Sequence, residues 1–147
     1  MKIPFLLGRL LFGGFFINAG VNHFRKRHEV AQYAASKHVP LPEVAVMATG
    51  AAMIAGGASI LSGVKPKLGA LAVMGFLAGV SPVMHDFWRA PDPNQRQNEM
   101  INFMKNVAML GAALALLGVE EPWPVSVPIA QPGVYQRVRR LGREVAA

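Results

Sequence analysis

A chain of 147 residues with 52% apolar and 16% charged side chains suits a single domain. Its charged share is well below the roughly 25% of ordinary soluble domains. With no cysteine, disulfides, a CxxC redox pair, thiolate-bound zinc and cysteine-held iron–sulfur clusters are excluded. The net charge of +7 comes from Lys and Arg placed between and after apolar blocks. No basic helix or strand is interleaved with aromatics, so the charge points to lipid headgroups and away from nucleic acid.

The first apolar block, residues 3–24, is long enough to cross a hydrocarbon core of about 30 Å at about 1.5 Å per residue. It exceeds the h-region of a signal peptide, about 7–15 residues. It also carries Arg9 and ends in Asn22-His23-Phe24-Arg25-Lys26-Arg27, so a retained span is expected. Residues 28–37 are polar with scattered apolar positions, as in a short interfacial helix. Val39-Pro40-Leu41-Pro42 breaks it, because proline removes a donor and restricts the preceding residue.

The second block, residues 43–61, is rich in Ala, Gly and Met, and a tight turn at 63–67 leads to the third block, residues 68–88. A polar connection at 89–98 contains Asp92-Pro93, which reads as an N-cap with proline at the first helical position. The fourth block is residues 100–119. Small residues crowd the second and third blocks, among them Gly50, Gly56, Gly57, Gly69, Gly75 and Gly79. Close backbone approach through such residues carries much of helix packing in lipid.

These blocks predict an all-α fold, an integral membrane four-helix bundle of up-down-up-down course over residues 1–119. Residues 120–147 form a Pro-rich segment and a basic amphipathic tail suited to a headgroup surface. The positive-inside count nearly ties. Lys2, Lys65, Lys67 and four tail arginines stand on one side, and Arg25, Lys26, Arg27, Lys37, Arg89 and Arg96 on the other. The slight excess places both termini in the cytoplasm.

Alternating helices bring the end of the first, the start of the second, the end of the third and the start of the fourth to one side. Unexpected polar residues occur at those ends: Asn18, Asn22 and His23; Glu43; Ser81, His85 and Asp86; and Glu99, Asn102, Lys105 and Asn106. Taken singly, each has an ordinary use at a membrane interface. Taken together, Asn18, Asn22, His23, Glu43, Ser81, His85, Asp86, Asn102, Lys105 and Asn106 suggest a shared polar pocket, because ionisable groups in a membrane usually face the bundle interior or a water-filled cavity. No HxxxH or ExxH pair lies on any helix, so no metal is expected. His28 and His38 fall in a charged stretch and read as solvated. Arg9 lies near enough to the N-terminal side to snorkel and to pair with Glu120 or Glu121.

Four spaced motifs resemble the DoxX family of small bacterial membrane proteins. They are Gly8-Arg9-Leu10-Leu11 with the Asn-rich end of the first helix, Val39-Pro40-Leu41-Pro42, His85-Asp86-Phe87-Trp88, and residues 98–106. The resemblance implies a four-helix fold in the bacterial inner membrane and, loosely, redox physiology: an accessory or anchoring subunit of a membrane oxidoreductase, not itself catalytic. On that reading the polar pocket takes a quinone headgroup or meets a redox partner protein. A homo-oligomeric carrier for a small solute or lipid, and a purely structural protein, are the competing readings.

Overall fold

The computed structural model describes residues 2–127. Over that range the chain forms α1 (Lys2–Arg25), α2 (Arg27–Ser36), α3 (Pro42–Ser62), α4 (Pro66–Met84), a 3-10 turn (Phe87–Arg89) and α5 (Pro93–Leu117). Four segments are long and apolar enough to cross a membrane: Ile3–Arg25, Pro42–Ser62, Pro66–Arg89 and Pro93–Leu117. The basic tail at 134–147 lies outside the described residues.

Local chemistry sets the helix ends. Pro42, Pro66 and Pro93 each sit in a first turn, where the missing N–H costs nothing. Asp92 caps α5, its Oδ2 accepting from the Gln95 amide at 2.7 Å. That cap starts α5 well before the apolar block at residue 100, so its first two turns are polar. At the other boundary, α4 stops at Met84 and not at Trp88 as the apolar run suggests. Pro82 lies inside its last turn, removing a ladder donor. The chain leaves helical geometry at His85 and Asp86, which therefore sit on a linker.

Glycines allow backbone-to-backbone packing. A Cβ on Gly20 would lie 2.6 Å from the Gly50 carbonyl oxygen, and one on Gly57 would lie 2.6 Å from that of Gly13. The pairing of 13 with 57 and 20 with 50 makes α1 and α3 antiparallel. A Cβ on Gly69 would similarly lie 2.7 Å from the Gly56 carbonyl, which sets α4 against α3. Gly63, at φ +74°, makes the left-handed turn that joins them. The core between the helices is built on Phe16, Met53, Ile60, Val73, Leu77 and Ala113.

α1 packs on α3, α3 on α4 and α4 on α5, with α2 lying across the start of α3. α1 and α5 end this series, which curls so that they face each other across a gap. α5 is the least enclosed span, with 6% of its apolar stretch buried against 22–33% in the others.

At the end of the bundle holding the N-terminus of α1, Arg9 is buried at 2% exposure. It neither snorkels nor pairs with Glu120 or Glu121. Its Nε donates to the Ile60 carbonyl at 3.0 Å, Nη2 to Leu61 at 2.8 Å and Nη1 to Pro124 at 2.6 Å. Ile60 and Leu61 lie in the last turn of α3, whose carbonyls lack helical partners and carry the negative end of the helix dipole. The guanidinium is thus balanced by carbonyl dipoles, with no carboxylate paired to it among the described residues. The segment after α5 returns to complete this cage. Trp123 is buried edge-on to Phe5, and the Val127 amide donates to the Ser62 carbonyl at 2.9 Å. The guanidinium also lies 5.8 Å from the Phe5 ring centroid and 5.5 Å from that of Trp123.

Candidate functional site

At the opposite end of the bundle the linker after α4 and the first turns of α5 meet α2. Glu99 is the hub, buried at 8% exposure. Its Oε2 lies 2.8 Å from His85 Nδ1, and its Oε1 accepts from the Tyr33 hydroxyl at 2.9 Å. Lys37 Nζ stands 2.5 Å from Asp86 Oδ1 and 3.9 Å from Glu99 Oε1. One ammonium therefore bridges two carboxylates, and a titratable imidazole closes the group. Charges held this way satisfy one another where water is scarce.

Tyr33 and Lys37 lie four residues apart on one face of α2 and the turn that follows it. α2 is held over the bundle by Ala31 and Ala34, which pack against Val46 of α3. Tyr33 is half exposed, yet its phenol is pushed up to about 12, first by burial and then by the Glu99 carboxylate it donates to, with Asp86 adding to the effect. A folded-state value above the ordinary one means the folded chain keeps a proton that the unfolded chain loses. Stability from this group is full below about pH 10 and falls as pH rises from there towards 12. In a Tyr135→Phe background Tyr33 is the sole tyrosine, since the chain has two. Phenolate absorbance at pH 11 is then expected to show about one-tenth ionisation, against about nine-tenths for a free tyrosine. Glu99→Gln should move the midpoint towards 10; an ordinary midpoint in the parent would contradict the contact.

The cluster divides two cavities. A polar vestibule of about 630 Å³ is lined by Tyr33, Ser36, Lys37, His38, Asp86 and Arg89, among others. A second cavity, about 410 Å³, lies between α1 and α5 and is lined by Phe15, His85, Asn102, Lys105, Asn106, Ala108 and Met109. His85 is shared between the hub and this inner cavity. With Nδ1 held by Glu99, its Nε2 is left to address whatever enters.

Several expected site residues meet here: His85 and Asp86 in the cluster, and Asn102, Lys105 and Asn106 along the cavity. Asn18 and Asn22 are exposed on the face of α1 that carries Phe15, one and two turns further on. Others lie apart. His23 Nδ1 bonds the Ala19 carbonyl at 3.0 Å and faces a small apolar cavity beneath α2. The buried Ser81 hydroxyl donates to Leu77 within its own helix. Glu43 is exposed and pairs with His28 on α2 at 3.3 Å, an equally exposed side chain, so neither belongs to the hub. Tyr33, Lys37 and Glu99 are all missing from the pocket set that the sequence suggests, although Glu99 is among the polar residues that open the fourth helix. The i, i+4 pair Tyr33/Lys37 was the available signal. Among the described residues, no three or more His, Asp or Glu side chains are placed to hold a metal ion.

Four apolar spans with a cluster of paired charges at one end define a multi-pass membrane protein. The chain belongs to the DoxX family, whose pattern matches residues 5–86. That match runs from α1 to Asp86 of the cluster, and α5 with Glu99 follows it. Neither a curated protein nor a solved structure matches the chain.

Proposed function

We propose that this protein is a non-catalytic accessory or anchoring subunit of an oxidoreductase system in the bacterial inner membrane, and that the inner cavity takes the headgroup of a quinone. The observation that carries this reading is the cavity lining. Around His85 stand the amides of Asn102 and Asn106 and the ammonium of Lys105, facing Phe15 and Met109. Such a set offers hydrogen-bond donors to carbonyl oxygens and apolar surface to a ring. A site between two spans suits a ligand that arrives through the lipid, and the little-enclosed α5 leaves a broad face for a redox partner protein.

Equilibrium binding of short-chain ubiquinone and menaquinone analogues to the detergent-solubilised chain tests the reading. The parent is expected to bind one analogue saturably, and His85→Ala to weaken it at least tenfold, about 1.4 kcal/mol. An unchanged affinity in His85→Ala, or no saturable binding of either analogue, would overturn it.

A further inference from the structure

The two cavities do not merely lie side by side; a continuous set of hydrogen-bonding groups joins them. From the inner cavity, His85 contacts Glu99 Oε2 at 2.8 Å. The other oxygen of the same carboxylate accepts from Tyr33 at 2.9 Å, and Tyr33 lines the vestibule. At 8% exposure Glu99 has little water of its own, so a proton passing between the cavities along this line must use these side chains. We infer that Glu99 and Tyr33 form a proton relay between the vestibule and His85 in the inner cavity.

The transfer balances without any further reactant. Inward, a vestibule hydronium gives a proton to the Tyr33 oxygen as Tyr33 passes its own hydroxyl proton to Glu99 Oε1. One O–H bond forms and one breaks at Tyr33, so the phenol stays neutral throughout. Its raised titration point, about 12, accords with a hydroxyl that passes protons without becoming a phenolate. Rotation of the neutral carboxyl brings the proton to His85 Nδ1 when the ring is in its Nε2–H tautomer, an N–H bond forming as the O–H bond breaks, and the imidazolium so formed releases its Nε2 proton into the cavity. The carboxylate is restored, ready for the next proton.

The other charged groups around His85 and Glu99 have distinct parts. Lys37, 2.5 Å from Asp86 and 3.9 Å from Glu99 Oε1, balances both carboxylates. Asp86 anchors Lys37, and Lys105 lines the inner cavity with His85. Arg89 opens onto the vestibule. The purpose of the relay, supplying or removing protons for a headgroup that changes protonation on reduction, rests on the proposed function; its chemistry does not.

The test uses the full chain in lipid nanodiscs with 15N-labelled histidine. The quantity measured is the exchange rate of the His85 imidazole N–H with bulk water, assigned by its loss in His85→Asn. Relative to the parent, Glu99→Gln is expected to slow exchange at least tenfold, and Tyr33→Phe to slow it several-fold. Tyr33→Phe, at the half-exposed end of the line, serves alone if Glu99→Gln does not fold. Parent-like exchange in Tyr33→Phe, or in a folded Glu99→Gln, would overturn the relay. No quinone is needed, so loss of the headgroup reading leaves this outcome readable. Unaltered exchange alongside intact quinone binding would remove the relay and leave the binding site.

Discussion

Replacing Arg9 by alanine is expected to destabilise the protein by about 3–5 kcal/mol, because the substitution orphans several buried acceptors at once. The carbonyls of Ile60, Leu61 and Pro124 each accept from a different guanidinium nitrogen. A buried acceptor left unpaired costs about 1–3 kcal/mol, and water has poor access to this site. The cavity left between Phe5 and Trp123 adds to that cost. Arg9→Lys should fall between parent and alanine. It keeps the charge but loses the planar fork that reaches three carbonyls and lies against two rings. The effect should also be directional: the segment bearing Trp123 is pinned through Pro124, so its release should precede loss of the helices. Thermal unfolding followed by helicity, with protection of Trp123 fluorescence from acrylamide quenching in a Trp88→Phe background, checks both points. Parent-like melting and protection in Arg9→Ala would contradict the role of the guanidinium as the clasp of this end.

The second large effect is expected along the α1–α3 seam. Valine at Gly20 would drive its Cβ into the Gly50 carbonyl and Ile54, each 2.6 Å away. Two of the nearest three obstacles are backbone atoms, which cannot swing aside. The helices must part, and the matched Gly13–Gly57 contact parts with them. A cost of about 3 kcal/mol is expected for Gly20→Val, at the upper end for overpacking, with Gly20→Ala in the same direction but smaller. Gly14→Ala is the control: a Cβ there meets nothing within 4 Å. It should be neutral or stabilising, by at most about 1 kcal/mol through helix propensity. Reversible unfolding in mixed micelles, titrated with sodium dodecyl sulfate, measures the series. Equal effects at Gly14 and Gly20 would mean that backbone approach does not hold α1 to α3.

These two sites also show how unevenly the sequence reveals the structure. The spans were legible because lipid admits only helices and closed barrels, and continuous apolar blocks of about 20 residues fit helices; prolines 42, 66 and 93 mark where three of them begin. Small residues in α3 and α4 signalled close packing, but composition alone could not assign partners. Gly13 and Gly20 of α1 complete the tightest contact, whereas a Cβ on Gly75 or Gly79 would meet nothing within 4 Å. Arg9 read as a snorkelling side chain because nothing in hydropathy announces that residues 119–127 fold back to cap it. The convergence of His85, Asp86, Asn102, Lys105 and Asn106 near one end followed from alternating helices. Tyr33 and Lys37 did not, because they lie on and just beyond a helix outside the membrane spans, and its packing over α3 is a tertiary fact. Glu43 misled for the opposite reason. Its place at a helix start put it near the right end, but its side chain faces His28 on the outside.

The gap between α1 and α5 has a consequence for dosage. A cleft that opens between two spans can be filled from the plane of the bilayer. Any apolar-tailed molecule using it is met at its concentration in lipid, which for strongly partitioning molecules far exceeds that in water. Apparent affinities for such a molecule should therefore scale with the amount of lipid present. Two preparations of the same protein agree only when compared per lipid molecule, and dilution of buffer alone leaves occupancy nearly untouched.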